Sequence, residues 1–301
     1  MSGTFGERRV YLSDFLSDFG FSPEARNAVL AAFDVLFASQ DAIKLFDKIR
    51  KRYERDPDTK YAYLIKKFDK IAAKCGINRY TAYLVVLILL SESSREVYAA
   101  RDVSPEMWRA NMFDLKYRCD NWLLVEGVYG NDAPEWYERF FAATRFTFGK
   151  LQFEMNRLGE KYEGHGVRLR PDDQVIFIHI PRTGERLMPS DVEDSVRAAD
   201  DFFRKRYGIT DVVFACHSWM LYPENKRMLS ETSNIYSFIS RFEVIDVRED
   251  TEYKDVWRLF DRVYRGNVDE LPQDTSLRRA YADRIRAHLP LGVALGVWVY
   301  R

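Results

Sequence analysis

Apolar residues recur at helical spacing through the first half of the chain. Tyr11, Phe15 and Phe19 form an aromatic lead-in, after which Ser22-Pro23-Glu24, an N-cap with proline at the first helical position, predicts a helix to about Ser39. A second is expected from Asp41 to about Arg55, closed by Asp56-Pro57-Asp58. From Thr59 to Lys74, Tyr61, Leu64, Ile65, Phe68, Ile71 and Ala72 form one stripe, with Gly76 just past its end. Asn78 to about Ala100 is apolar all round at its centre, which predicts the buried helix of this half. Ser104-Pro105-Glu106 opens a fifth helix whose Trp108, Met112, Leu115, Cys119 and Trp122 alternate four and three apart; Cys119 in that stripe reads as packing. After a loop at Glu126–Pro134, a sixth carries Trp136, Phe140 and Phe141. The pattern predicts an all-α domain over residues 1–145, a scaffold or cover for the second half of the chain.

From Arg145 the spacing changes. Phe146, Phe148, Leu151, Phe153 and Met155 approximate an alternation, with Gly149 as a bulge or kink and Gln152, Glu154 and Asn156 on the opposite face. A polar stretch to Pro171 predicts a turn. Gln174 to Pro181 is a near-continuous apolar strand of the kind buried on both faces, with His179 its only polar interior residue. Ser190-Asp191-Val192-Glu193 reads as a capping box opening a helix that Gly208 stops. Val212 to Ala215 predicts another buried strand, and strand–helix–strand with short links makes the two strands parallel or near neighbours. A short helix to about Ser230, a turn at 231–234, a strand at Phe242–Val247, helices at Thr251–Tyr264 and Thr275–His288 and a strand at Leu291–Tyr300 complete the pattern. Residues 146–301 therefore predict an α/β domain behind the all-α one, α+β overall.

Composition narrows the function classes. The 301 residues carry 46 Lys and Arg against 46 Asp and Glu, so the net basic field of a nucleic-acid binder is absent. Cys75, Cys119 and Cys216 are scattered and odd in number, with no CxxC, which predicts a reducing compartment and no zinc or disulfide framework. The longest apolar run, Tyr83 to Leu90, falls far short of the about 20 residues of a membrane span. The first residues lack the apolar core of a signal peptide. A cytoplasmic protein with no membrane, nucleic-acid or metal partner is expected; oligomeric state is not legible.

Candidate chemistry gathers where the strand at 212–215 ends. Cys216, His217, Ser218 and Trp219 replace the apolar run just where ligands bind in α/β sheets, beyond the carboxyl ends of strands. His217 suits general base or acid work, with a hydrogen-bonded structural histidine as the alternative. His179 ends the other strand of the strand–helix–strand unit and is a second candidate. Cys216 is adjacent to His217, but neighbouring strand residues point to opposite faces, so the two cannot form a dyad in a regular strand. Cys216 is expected in the core. Ser218 and Tyr222 could orient substrate or protonate a departing thiolate. Glu154, a carboxylate inside a strand, either faces water or is a base for an amine.

Taken together, L-Q-F-E at 151–154, I-H-I-P at 178–181, C-H-S-W at 216–219, S-N-I at 233–235 and D-T-S-L at 274–277 resemble a bacterial family. It is that of acyltransferase proteins with a helical N-acyltransferase N-terminal domain and a GNAT-like C-terminal domain. Trp108 to Lys116 (W-R-A-N-M-F-D-L-K) and the junction F-G-K-L-Q-F-E fit it too. The resemblance implies a GNAT-like mixed sheet and transfer of an acyl group from acetyl-CoA or another acyl-CoA to an amine, on a small molecule or a peptide. The chain departs from the family pattern at the glycine-rich pyrophosphate loop. The corresponding loop is Pro181-Arg182-Thr183-Gly184-Glu185-Arg186, where Arg182, Thr183, Gly184 and Arg186, with Ser218, are the expected CoA contacts. Asp191, Glu193 and Asp194 crowd the first turn of the following helix and oppose a phosphate there. The rival expectations are a ligand-binding protein that lost the loop, or a hydrolase using Cys216 or Ser218.

Overall fold

The computed structural model describes residues 3–301, and the chain divides into two units, Met1–Phe146 and Thr147–Arg301. The first unit is helical: α1 (Phe5–Asp18), α2 (Pro23–Leu36), α3 (Gln40–Arg55), α4 (Ala62–Ile65), α5 (Phe68–Lys74), α6 (Arg79–Ala100), α7 (Pro105–Glu126) and α8 (Tyr137–Phe141). Every residue from Thr81 to Ser91 of α6 is buried, so the all-round apolar helix is the core of this unit, as its sequence predicts. Tyr53 and Tyr98 donate from their hydroxyls to the Phe141 and Phe140 carbonyls at 2.8 and 2.7 Å, tying α8 to α3 and α6.

The second unit is built on a mixed sheet: β1 (Arg145–Phe148), β2 (Leu151–Arg157), β5 (Gln174–His179), β6 (Val213–Ser218), β8 (Leu291–Val299) and β7 (Glu243–Asp250), in that spatial order. A separate two-stranded ribbon pairs β3 (Tyr162–Gly164) with β4 (Val167–Leu169). The helices are α9 (Pro189–Tyr207), α10 (Glu224–Met228), α11 (Asn234–Ile239), α12 (Trp257–Phe260) and α13 (Ser276–Arg286). β5 and β6 are parallel, joined through α9, which is the expected strand–helix–strand unit. The remaining registered pairings of this sheet, β2 with β5, β6 with β8 and β7 with β8, are antiparallel.

Alternation assigns the two faces. One face packs an aromatic layer, with Phe153 on Phe214 at 5.8 Å and Phe214 on Trp298 at 5.9 Å between ring centroids. Phe202 of α9 lies 5.2 Å from Phe148 at the margin of this layer. The other face buries Val175, Val213, Ala215 and Val297 together with Leu158 and Tyr162.

Several elements differ from expectation, for local reasons. The lead-in at Tyr11–Phe19 is part of α1, whose start is the Thr4–Glu7 capping box. The stripe from Thr59 to Lys74 breaks into α4 and α5; the Glu138 carboxylate takes the Tyr61 and Ala62 N–H groups at 2.7 and 2.8 Å and fixes where helix can begin. Gly149 is no bulge within a strand but the turn of the β1–β2 hairpin, with φ 55°. The expected turn before Pro171 contains β3 and β4. α9 starts at Pro189, and its capping carboxylate is Asp191, which accepts from the Met188 N–H at 3.0 Å. The helix expected over Thr251–Tyr264 shrinks to α12, because the Asp250 side chain takes the Glu252 and Lys254 N–H groups and Tyr253 and Asp261 adopt left-handed conformations.

Candidate active site

The parallel ladder between β5 and β6 registers Ile176 with Phe214 and Phe177 with Ala215, and both strands continue past it. Beyond that point β5 pairs with β2 and β6 with β8. The carboxyl ends of β5 and β6 carry His179 and His217 at equivalent positions, two residues beyond the last registered pair.

Pairing by register gathers a polar row on the face opposite the aromatic layer. Gln152 opposes His179 and Glu154 opposes Phe177, so all four lie on one face of β2 and β5. His217 opposes Leu295, which in turn opposes Asp246, and Val293 opposes Arg248. The row thus runs across the sheet through Glu154, His179, His217 and Asp246. Glu154 is only 4% exposed, and its Oε1 lies 3.1 Å from His179 Nε2. A buried carboxylate costs several kcal/mol unless paired, and the imidazole helps to meet that need.

His217 reaches solvent. Partial covering of its ring, and then the Arg248 guanidinium, push its pKa below the ordinary 6.5, against the opposing pull of Asp246 and Asp255. It is neutral near pH 7, with a nitrogen lone pair available. Cys216, one residue earlier, is buried on the aromatic face, and burial pushes its thiol up to about 12. The two side chains are separated as strand alternation requires.

The other expected site residues are dispersed. Tyr222 is buried, donates to Glu249 Oε1 at 2.8 Å and packs over Gly292, on the face of β8 away from His217. Burial first and Glu249 second push its hydroxyl up to about 12. Ser218 Oγ accepts from the Met220 N–H at 3.1 Å and caps the short turn after β6. Arg182 pairs with Asp261, which Arg278 also holds; burial and then Arg278 lower its pKa. Thr183 Oγ1 accepts from the Glu185 N–H at 3.3 Å, and Gly184 has φ 80° with open space around it. Arg186 is exposed, and its carbonyl accepts from Lys150 Nζ at 3.0 Å. The acidic first turn of α9 is paired: Asp191 with Lys150 at 3.0 Å, Glu193 with Arg241 and Asp194 with Arg197. Its opposition to a phosphate is weaker than the bare sequence implies.

A cavity of about 120 Å³ adjoins the row at the β7–β8 end. Trp219, Tyr253, Leu259, Tyr281, Leu291 and Val293 supply apolar walls. Sequence reasoning missed this cavity, since its walls come from four separated segments. The signal for its rim was present: Arg248 and Asp250 alternate on one face of β7. Among the described residues no group of three or more His, Cys, Asp or Glu is arranged to hold a metal ion, and no helix is long and apolar enough to cross a membrane.

A helical unit followed by a mixed sheet with a parallel central pair defines the class: a two-part protein, all-α and then α/β. Residues 146–298 match the GNAT-like C-terminal domain family and residues 11–143 match the N-acyltransferase N-terminal domain family. The chain belongs to the family that joins these two domains. Among solved structures it is similar to an acyltransferase in complex with decanoyl-CoA and teicoplanin (20% identity, TM-score 0.71, 98% of this chain and 88% of the other). It is also similar to an acyltransferase in complex with decanoyl-CoA (19%, 0.73, 96% and 87%) and an acyltransferase mutant in complex with octanoyl-CoA (18%, 0.70, 96% and 87%). At these identities the likeness is one of fold. No curated protein matches the chain significantly.

Proposed function

We propose that this protein transfers an acyl group from acyl-CoA to an amine at the open end of the β5–β6 ladder, with His217 as general base. The observation that carries this reading is the solvent-reaching imidazole at the end of β6, its pKa lowered, on the same sheet face as the Glu154–His179 pair. His217 takes one proton from the substrate ammonium. The neutral nitrogen attacks the thioester carbonyl, the C–N bond forms and the C–S bond breaks. The CoA thiolate leaves with the second nitrogen proton as the thiol, and His217 returns its proton to solvent. Glu154 is too enclosed to meet an amine directly and acts as a positioning residue through His179.

The bound decanoyl-CoA and octanoyl-CoA of structures with this fold support acyl-CoA as co-substrate. On this chain Thr183, Gly184 and Arg186, with the N–H groups at the start of α9, are the groups that would meet its phosphates. The acceptor is a small-molecule or peptide amine, a reading supported by the teicoplanin-bound relative. Three free cysteines agree with a reducing bacterial cytoplasm. The commitment of Arg182 to Asp261 favours a second reading, a non-catalytic ligand-binding protein of the same fold that has lost the pyrophosphate loop and with it acyl-CoA binding. Calorimetry with acetyl-CoA and decanoyl-CoA decides: micromolar binding of either supports the transferase, and no binding at millimolar concentration sinks it.

A further inference from the structure

The cavity beside the polar row has a chemistry of its own. Trp219 and Tyr281 meet edge to face at 6.1 Å, and Tyr253 completes an aromatic enclosure. The two tyrosine hydroxyls are committed elsewhere, Tyr253 to the Leu289 carbonyl at 3.1 Å and Tyr281 to Asn225 Oδ1 at 2.7 Å. What these residues offer the cavity is therefore ring surface. Glu249 borders the cavity through its backbone while its carboxylate turns to Tyr222 on the far face. The charged groups facing the cavity are Asp250, which also accepts two backbone N–H groups, and Asp255, which Arg258 shares at 3.1 Å, against Arg248. Aromatic faces and an excess of carboxylates both attract a cation and disfavour an anion. Arg248 and Asp255 are also the groups that act on His217, so the charged rim and the proposed base share one electrostatic neighbourhood.

Size limits the occupant. The cavity's 120 Å³ is of the same order as the ~150 Å³ apolar cavity that binds one benzene with room to spare. One ring or a short branched group fits; the ten-carbon tail carried by the solved relatives does not.

We propose that this cavity is the acceptor subsite and takes a compact ring-bearing or branched primary amine, its apolar body among Trp219, Tyr253 and Tyr281 and its ammonium at the Asp250–Asp255 rim. The assignment rests on the acyltransfer reading for its meaning in catalysis, but amine binding itself does not require acyl-CoA.

The full-length protein is titrated with benzylamine, benzyl alcohol and benzoate without acyl-CoA, followed by calorimetry and by backbone amide shifts. Benzylamine is expected to bind about tenfold more tightly than benzyl alcohol, with benzoate weakest, and to shift amides of β7 and β8. Asp255→Asn should shrink the preference for the amine over the alcohol, and Val293→Phe, which fills the cavity, should remove binding of both. If Val293→Phe does not fold, Leu259→Phe fills the same space from another element. Equal binding of amine and alcohol overturns the assignment, as does unchanged benzylamine affinity in a folded, filled variant. Acyl-CoA binding without amine binding removes this subsite and leaves the transferase reading standing; amine binding without acyl-CoA binding does the reverse.

Discussion

The two faces of the second unit's sheet come from the same strands, yet one is sealed and the other ends in chemistry. On the aromatic face, Phe153, Phe214 and Trp298 interlock and Cys216 is enclosed. On the opposite face the apolar layer stops before the strand ends, and Glu154, His179, His217 and Asp246 take over. A single step along β6 separates a thiol pushed up to about 12 from an imidazole pushed below its usual value. The same covering that silences the acid favours the neutral base. The protonation preference of each side chain here follows from the face it lies on.

The largest effect expected from testing that contrast is on the sealed face. Phe214→Ala should cost about 3–5 kcal/mol in denaturant unfolding, because the ring is fully buried between Phe153 and Trp298. A loss below about 1 kcal/mol would mean that the aromatic layer is not the core of this unit.

On the open face the cost moves from stability to rate. His217→Ala should lower kcat/KM for amine acylation by roughly 10²–10³-fold, read as CoA thiol release, while unfolding stability changes by about 0.5 kcal/mol or less. Cys216→Ala, one residue away, should leave the rate within about threefold and lower stability instead. If the rates of the two variants fall together, strand alternation is not what divides this site.

The smallest effect is on the pH profile. A base whose pKa lies below 6.5 loses activity only as pH falls through that lowered value, so kcat/KM should be flat near neutrality with an acid limb below 6.5. Arg248 lowers that pKa, so Arg248→Ala should move the acid limb to higher pH. A limb that stays in place, or moves the other way, removes His217 as the titrating base.

Much of this contrast is legible in the sequence, and the remainder is hidden for identifiable reasons. The strand–helix–strand unit and the separation of Cys216 from His217 follow from period and alternation, which are local. The Glu154–His179 pair does not, since its register is set where β2 and β5 meet across an intervening ribbon. α12 is truncated by side-chain bonds from Asp250 that compete with helix over a segment whose apolar spacing looks helical. The cavity draws its walls from the turn after β6, from the segment around Tyr253, from α13 and from the start of β8, and no window of sequence contains them.

The loop between β5 and α9 has a consequence for the cost of binding. Lys150 reaches the Arg186 carbonyl, Arg182 is tied to Asp261, and Asp191 holds the Met188 N–H. At the hairpin turn, a Cβ on Gly149 would come within 2.5 Å of Ser195 Oγ, so that turn sits directly against α9. Each tie removes conformational entropy from the loop during folding, before any ligand arrives. A ligand that grips this loop has correspondingly less disorder to suppress, which saves part of the about 0.5–1.5 kcal/mol that each immobilised side chain otherwise subtracts from affinity.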